Sequence, residues 1–417
     1  MKIAVLTPYF LPYMGGAEVG IHHIAAGLCG AGEGHLAEDE GHEVRIFVPD
    51  DSAGALYPPW QEAQNSEWEA GAPYAVTRFP DHLSRFRLSS SRKGMLSWVP
   101  PVSQRAGEVL RGDVAAFAPD AILCFYALPY ARAAAAWGRR AGVPVCLSLM
   151  GGEITGPDSR LFWPLHIRAA VRRCDHTIYE TPFCARTVTG GPLRRRLLLG
   201  GRPPHIIPFG VDTSLYTPDA DPAAVRRQWG VGDGDPLLVT ISRLARVKNI
   251  DVQIRAVARL AGSHPRLKLL VVGSGNWEPE LRRQAAELGL ADRVIFAGFV
   301  AHEDLPPYYR AGDLFTYSST FETFGLVLAE AMACGTPQVA VGRTAVADVV
   351  VPDRTGLLIP DFDPDDMARA IASLLADPQR RAAMSRASAD LARREYSWAS
   401  VVKRYSHTLE GLAAGPR

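Results

Sequence analysis

The sequence carries little net charge and no long apolar run. Lysine and arginine together number 45, against 44 aspartates and glutamates, so no overall field would draw the protein to nucleic acid or to an anionic membrane, and any basic site must be local. No apolar stretch reaches the ~18 residues that a membrane-spanning helix needs. The N-terminal apolar run lacks the small-residue cleavage site of a signal peptide. We therefore expect a cytoplasmic protein with no nucleic-acid partner and, at most, peripheral membrane association.

Cysteine is also scarce. The six cysteines form no CxxC pair and have no metal-ligand spacing with histidine, which argues against a zinc site and favours buried thiols in a reducing compartment. What the chain does have is length and apolar content. Its 417 residues, 47% of them hydrophobic, are enough for two packed domains of roughly 200 residues each.

Short β-rich runs alternate with helical stretches along the chain. Because strands separated by helices pair in parallel through right-handed crossovers, each half is predicted to be an α/β, doubly wound, Rossmann-like sheet. Strands are predicted at 1–9 and from His42, Asp120, Val143, Asp235, Leu267, Arg293, Asp313 and Thr336. Helices are predicted at 17–28, in the stretch that Gly142 closes, and at 252–260, 279–288 and 326–334.

Two stretches fit this alternation poorly. Residues 30–43 lengthen a short connection, and residues 57–103 are rich in proline, tryptophan, serine and arginine. Connections of this length are usually functional or mobile, the alternative being a tolerated surface insertion. Ligands of doubly wound sheets bind beyond the carboxyl ends of the strands, so we look for chemistry there.

The strongest chemical signal is a pair of glutamates, Glu322 in a loop and Glu330 on the helix that follows. From Leu326 to Ala333 every residue except Glu330 is apolar, so this helix should be buried. An unpaired buried carboxylate costs several kcal/mol, so Glu330 needs a hydroxyl or a cation as its partner. A bound ribose is the favoured partner, and an interaction with the helix dipole is the alternative.

The start of the same helix offers a place for an anion. The amides of Phe324, Gly325 and Leu326 have no partner within the helix and point beyond its N-terminus. Gly325 allows close approach of the backbone. A diphosphate bound there would leave Glu322 facing the hydroxyls of an attached sugar.

Two cations follow a strand that is predicted to be buried. Arg243 and Lys248 would stand at its carboxyl end, where they would stabilise charge developing on a leaving phosphate without a metal ion. Basic loop residues are usually only solvated, but the coincidence with Glu322 and Glu330 favours function. No Asp-x-Asp pair accompanies the site, so we expect no metal and no other cofactor.

At these residues the chain resembles the large fourth family of retaining, GT-B fold glycosyltransferases, of the group 1 type, over nearly its whole length. The spacing of Glu322 and Glu330 is the family's hallmark. Five further segments fall in the family's order: GGAE at 15–18, PFGVD at 208–212, SRL and the following lysine at 242–248, VVGSG at 271–275 and FAGFV at 296–300.

The resemblance implies two Rossmann-like domains that face a cleft. Residues 1–205 would form the acceptor-binding domain, residues 206–390 the nucleotide-sugar-binding domain, and 391–417 a helix that packs back on the first domain, with Trp398 in the core. It further implies these contacts: Arg243 and Lys248 with the diphosphate, Glu322 with the donor sugar, Glu330 with the ribose, Phe299 and Val300 with the base, and Gly15 and Gly16 with the donor phosphate.

One departure from the family pattern concerns the loop after the fourth N-terminal strand. Many members have His-Gly-x-Asp there, whereas this chain has Met150, Gly151, Gly152 and Glu153. Gly152 and Glu153 are candidate contacts to the transferred sugar or the acceptor, and capping of local amides is the alternative for Glu153. With no histidine in this loop, no residue is an evident nucleophile or strong base, which favours a front-face reaction.

The predicted function is therefore transfer of a sugar, with retention of configuration, from a nucleotide diphosphate donor to a small-molecule or lipid-linked acceptor. From family frequency we expect uridine as the base, with guanosine second. Two alternatives stay open: a pseudo-glycosyltransferase that couples a nucleotide-activated cyclitol, and a non-catalytic nucleotide-sugar-binding protein.

Two basic clusters remain outside this site. One contains Arg85, Arg87, Arg92 and Lys93, and the other is Arg194 to Arg196. We interpret both as solvated faces of variable loops. The alternative is contact with an anionic acceptor or a membrane surface.

Overall fold

A computed structural model describes residues 1–8, 10, 16–31, 41–50, 71–80, 102–151, 154 and 163–415. The chain divides into two compact units. The first contains Met1–Phe209 and Trp398–Arg417, and the second contains Gly210–Ser397. The sequence places the corresponding boundaries at 205 and 390.

The first unit is built on a seven-stranded parallel sheet with the strand order β3-β2-β1-β4-β5-β6-β7. The strands are β1 (Lys2–Leu6), β2 (Glu43–Asp50), β3 (Ala75–Pro80), β4 (Ala121–Phe125), β5 (Val145–Leu149), β6 (His176–Tyr179) and β7 (His205–Ile206). The helices are α1 (Gly16–Leu28), α2 (Val102–Val109), α3 (Ala131–Ala141), α4 (Trp163–Val171), α5 (Pro182–Thr189) and α6 (Pro192–Leu199). Helix α2 continues through a π-helical segment, Leu110–Val114, into a short turn, Ala115–Phe117.

Largely apolar runs explain the central strands. Every residue of β4 and β5 is buried, as expected for strands covered by helices on both faces. Gly142 ends α3 with a left-handed φ of 69°, which confirms the predicted end of that helix. Three strands of this sheet are not among the predicted ones: β3, which lies within the stretch 57–103, β6 and β7.

The final helix, α15 (Trp398–Ala414), belongs to the first unit. Trp398 is 4% exposed and stacks on His23 of α1 with the ring centroids 4.7 Å apart, so its predicted place in the core is confirmed. Tyr405 and Ser148 of β5 share a buried hydrogen bond of 2.8 Å between their hydroxyls. A Cβ on Gly27 would lie 2.5 Å from Val402, so α1 can approach α15 this closely only with glycine there.

The second unit is built on a six-stranded parallel sheet with the order β10-β9-β8-β11-β12-β13. Its strands are β8 (Leu237–Ile241), β9 (Lys268–Val272), β10 (Val294–Gly298), β11 (Leu314–Tyr317), β12 (Gln338–Val341) and β13 (Gly356–Ile359). Its helices are α7 (Ala223–Gln228), α8 (Ile250–Leu260), α9 (Glu278–Glu287), α10 (Pro306–Ala311), α11 (Leu326–Ala333), α12 (Val346–Val349), α13 (Pro364–Leu375) and α14 (Pro378–Leu391).

Both sheets are therefore doubly wound, as predicted, and both reverse strand order next to their first strand. In the second unit the reversal lies between β8 and β11, which pair directly. Loops leaving adjacent strands in opposite directions open a crevice at such a point. Among the described residues, no helix is long and apolar enough to cross a membrane.

Candidate functional site

Lys248 and Glu322 meet at the point where strand order reverses in the second unit. Lys248 ends a 3₁₀ turn after β8, and Glu322 lies in the loop after β11. Lys248 Nζ is 2.5 Å from Glu322 Oε1, and their side chains are only 19% and 12% exposed. Both are predicted site residues, but their pairing with each other has no signal in the sequence.

Tyr317, the last residue of β11, completes this contact. Its hydroxyl donates to Glu322 Oε1 and accepts a hydrogen bond of 3.2 Å from Lys248 Nζ. Tyr317 is 2% exposed, and burial, followed by the charge of Glu322, raises the pKa of its hydroxyl well above the ordinary value. The phenol is thus a permanent donor to the carboxylate. We call Lys248, Glu322 and Tyr317 the switch-point cluster.

Polar contacts join the two loops that carry this cluster. Ser318 Oγ donates to the carbonyls of Lys248 and Asn249 at 3.0 and 2.8 Å. The backbone N–H of Thr320 donates to the Val247 carbonyl at 2.9 Å. Buried Gln253 of α8 donates to Ser318 Oγ at 2.8 Å. Because these bonds fix the backbone on both sides, Lys248 and Glu322 are held in place by the fold itself.

Arg243 forms no hydrogen bond or ion pair with the residues of the switch-point cluster. It is exposed in the loop after β8, and its guanidinium makes no hydrogen bond or ion pair with any residue that the structure describes. Glycines of the neighbouring β9 loop hold its backbone. A Cβ on Gly275 would lie 2.3 Å from the Leu244 carbonyl oxygen, so only glycine fits, and the Leu244 N–H donates to Ser274 O at 2.9 Å.

Glu330 lies on α11 and is 4% exposed, which confirms the predicted burial of this helix. Its partners in the structure are protein groups. Tyr309 of α10 donates to Oε2 at 2.5 Å, and His302 Nε2 lies 3.1 Å from Oε1. The expectation that a buried Glu330 needs a partner is met within the protein, by a tyrosine hydroxyl and a histidine ring. The sequence offered no signal for either partner.

The exposure of these partners differs. Tyr309 is 0% exposed, whereas the His302 side chain is 57% exposed. Partial burial lowers the pKa of His302, but the hydrogen bond and charge of Glu330, followed by the charges of Glu303 and Asp212, outweigh it and leave the pKa raised. The Glu330 carboxylate therefore contacts the buried Tyr309 on its inner side. On its outer side it contacts the His302 imidazole, which is more readily protonated than an ordinary histidine.

Helix α11 begins at a glycine whose backbone is left-handed. Gly325 caps α11 with a left-handed φ of 85°, and a Cβ there would lie 3.1 Å from Leu328 Cδ1. Phe324 is buried and packs edge-on against Tyr396 at 5.4 Å. The first-turn amides, Leu326 included, follow directly from the Glu322 loop.

The remaining predicted site residues are more scattered. Phe299 is 69% exposed just after β10, two strands from β8, and Val300 is half-buried. Gly16 begins α1 in the first unit. Gly15, Gly152 and Glu153 lie outside the described residues, as do Arg85, Arg87, Arg92 and Lys93.

Metal ligands and thiols add no further chemistry to the described part of the chain. There, no three side chains of histidine, cysteine, aspartate or glutamate are grouped to hold a metal ion. All six cysteines are free, four of them buried and two half-buried. Metal independence stays a prediction.

Comparison with known proteins places the chain in a family. Residues 222–390 match the model of glycosyl transferases group 1, and residues 15–199 match the glycosyl transferase 4-like domain. The chain is 35% identical over 213 residues to a GDP-mannose-dependent alpha-(1-6)-phosphatidylinositol monomannoside mannosyltransferase of Mycolicibacterium smegmatis, covering 49% of this chain and 56% of that protein. It is 38% identical over 225 residues to a D-inositol 3-phosphate glycosyltransferase of Stackebrandtia nassauensis, covering 51% of this chain and 50% of that protein. The chain thus spans about half the length of these relatives.

Solved structures show the same fold. HepE of Anabaena, in complex with UDP, aligns with a TM-score of 0.73 over 99% of this chain and 100% of its own, at 22% identity. The two parallel, Rossmann-like sheets are therefore those of a GT-B fold, as predicted. With both family models matched in order along one chain, the protein belongs to the group 1 glycosyl transferases.

Proposed function

We propose that the protein transfers a sugar from a nucleotide diphosphate donor to a hydroxyl of a small-molecule or lipid-linked acceptor, with retention of anomeric configuration. The observation that carries this proposal is the switch-point cluster. It places an ammonium and a carboxylate at the carboxyl ends of two adjacent strands, directly before a helix N-terminus. A diphosphate and a polyhydroxylated sugar need these groups side by side.

The hydrogen-bonding capacity of Lys248 suits a phosphate contact. An ammonium has three N–H donors, and two of them are directed to Glu322 and Tyr317. The third stays available to a phosphate oxygen without breaking the pair. Arg243, exposed on the same loop, adds a second charge, and the first-turn amides of α11 add the helix dipole.

Glu322 is suited to orient the sugar. Its side-chain contacts with described residues all fall on Oε1, while Oε2 is directed toward Gly325, 3.8 Å from where a Cβ would stand. Oε2 can therefore accept from sugar hydroxyls while Oε1 stays fixed. A carboxylate tied to a lysine and a tyrosine is a weak nucleophile, so we assign it no covalent step.

Retention then follows from a front-face reaction. The departing diphosphate takes the proton of the acceptor hydroxyl, and Lys248, Arg243 and the α11 amides stabilise the charge that grows on it. The new glycosidic bond forms on the face that the phosphate leaves. Glu330 holds the ribose, because each carboxylate oxygen can accept a second hydrogen bond beside those from Tyr309 and His302.

The names of the relatives suggest donors and acceptors to test. The mycobacterial relative is named for GDP-mannose and a phosphatidylinositol mannoside, and the second relative for inositol 3-phosphate. HepE has been solved with UDP. We propose UDP as the nucleotide of the donor, with GDP second, and an acceptor that presents a polyol hydroxyl.

The experiment combines donor discovery with product analysis. Thermal shifts against a panel of nucleoside diphosphates and nucleotide sugars identify the donor, which at saturation should stabilise by a few kcal/mol. Release of nucleoside diphosphate only with acceptor present excludes a mere binding protein, and product mass excludes coupling of a cyclitol donor. NMR of the product should show the donor's anomeric configuration, and chelator should leave turnover intact. An inverted linkage refutes the front-face scheme.

A further inference from the structure

Positive charge is concentrated in one part of the first unit, although the chain as a whole is nearly neutral. Between residues 131 and 206, the described residues include eleven arginines and only two acidic residues, Asp175 and Glu180. Glu180 is 5% exposed, so Asp175 is the single acidic side chain of this segment on the described surface. The balance in total charge therefore hides a strongly basic region.

Helix α6 combines this charge with exposed apolar side chains. Leu193 and Leu197, four residues apart on one helix face, are 74% and 73% exposed, and Arg194 to Arg196 are exposed between them. None of the eight residues is fully buried, and Leu199 anchors the helix by packing against the core. The arginines thus lie on a helix, which corrects their assignment to a loop.

Neighbouring α4 carries a third exposed leucine. Leu165 is 61% exposed, and α4 packs against α6. Of the five large apolar side chains exposed among the described residues, three are Leu165, Leu193 and Leu197. Arg194, Arg195 and Arg196 form no ion pair with any residue that the structure describes. An exposed apolar group of this kind, bordered by uncompensated cations, is typical of an interaction surface.

We propose that this basic-apolar face, formed by Leu165, Leu193, Arg194, Arg195, Arg196 and Leu197, docks on the surface of an anionic lipid bilayer. The leucines would insert at the boundary between the headgroups and the acyl chains, while the arginines would bind lipid phosphates. Charge complementarity selects an anionic surface, and three exposed leucines favour lipid over a soluble polyanion, which would leave these leucines in water. Docking would bring the protein to lipid-linked acceptors, yet it requires neither donor nor turnover.

Flotation of the whole chain with vesicles tests the proposal. We expect binding to vesicles of mixed phosphatidylglycerol and phosphatidylcholine, weakening with salt, and none to phosphatidylcholine alone. Replacing Arg194, Arg195 and Arg196 together with glutamine should weaken binding roughly a hundredfold, at about fivefold for each cation. Leu193→Gln with Leu197→Gln should weaken it at least about tenfold, although every charge is kept.

Matched controls come from the second unit. Leu288→Gln removes another exposed leucine, and joint replacement of the exposed Arg354, Arg386 and Arg394 with glutamine removes the same charge. Both should bind vesicles like the wild type. Nucleoside diphosphate binding and thermal unfolding, unchanged in all variants, show that the fold and the donor site are intact.

Several outcomes would overturn the proposal. One is that the wild type does not bind anionic vesicles. Another is that the second-unit control variants lose as much vesicle binding as the α6 variants. Unchanged vesicle binding by the leucine variant, together with competition by polyphosphate, would identify a site for soluble polyanions. Self-association that the leucine variant abolishes, without lipid binding, would identify a protein interface. Failure to find a sugar donor leaves the vesicle result standing, so the two proposals fail separately.

Discussion

Lys248 Nζ lies 2.5 Å from Glu322 Oε1, which joins the loops that leave two adjacent parallel strands. Neither side chain is more than 19% exposed, so each charge depends on the other. Removing one partner leaves the second poorly solvated and unpaired. The pair is therefore both part of the proposed donor site and part of what holds the switch-point loops together.

Arg243→Ala and Lys248→Ala are expected to separate these two roles. Both should lower kcat on the order of 10²-fold or more, because each removes charge that stabilises the leaving diphosphate. Only Lys248→Ala should also lower the free energy of unfolding, by about 1–3 kcal/mol, since Arg243 is exposed and unpaired among the described residues. Steady-state kinetics and urea unfolding of both variants measure this. Equal destabilisation by the two would contradict the account.

Tyr317→Phe is expected to lower kcat about tenfold while the KM for donor changes little. The substitution removes only the hydroxyl that fixes Glu322 Oε1 beside Lys248, so the sugar is bound but less well oriented. Tyr309→Phe is the matched control, because it removes the equivalent hydroxyl from Glu330 and should act mainly on donor KM. A Tyr317→Phe enzyme with the kcat of the wild type would show that the hydroxyl positions nothing.

Glu330→Ala is expected to weaken donor binding most, whereas Glu322→Ala should damage both binding and kcat. The sharper test compares a nucleoside diphosphate with its 2′-deoxy form by calorimetry. The wild type should bind the ribose form more tightly, and Glu330→Gln should reduce that preference. If the variant discriminates as well as the wild type, the ribose contact is assigned to the wrong residue.

The contact between His302 and Glu330 predicts how the stability of the protein changes with pH. Because the folded pKa of His302 is raised, the pair stabilises the protein fully below the ordinary histidine pKa, and this stabilisation is lost as pH rises through the folded pKa. His302→Gln should therefore lower Tm at mildly acidic pH and have little effect in alkaline solution. Melting curves of both proteins between about pH 5.5 and 9 check this. If the difference in Tm between the wild type and His302→Gln grows as pH rises, the assigned pair does not stabilise the protein in this way.

Gly275→Ala is expected to destabilise the second unit and to impair the Arg243 loop. Its Cβ would stand 2.3 Å from the Leu244 carbonyl oxygen, so backbone must move, at a cost of about 1–3 kcal/mol. Gly262→Ala is the control, because a Cβ there meets nothing within 4 Å. Urea unfolding measures the stability of both variants. If they are equally stable, the loop after β9 accommodates the added methyl group without strain.

Local patterns in the sequence predicted much of this fold but little of its long-range polar pairing. Strand β4 is a continuous apolar run, and the isolated Glu330 among apolar neighbours marked a buried carboxylate. Strand β3 was missed because its alternating, proline-ended sequence lies in a long irregular stretch. The partners of Glu330 come from α10 and the turn before it, at sequence separations of 21 and 28 residues. Nothing in the local periodicity of α11 encodes such contacts.

Calorimetric titration of UDP and GDP into the wild type and Lys248→Ala tests the central claim, that a diphosphate binds at the switch-point cluster. We expect one of the two nucleotides to bind the wild type at one site per chain, and Lys248→Ala to weaken it at least about tenfold through loss of a charge-assisted hydrogen bond. Lys403→Ala in the first unit, which removes an exposed lysine remote in sequence, should leave the affinity unchanged. Equal affinities of Lys248→Ala and the wild type, or a wild type that binds neither nucleotide, would contradict the account.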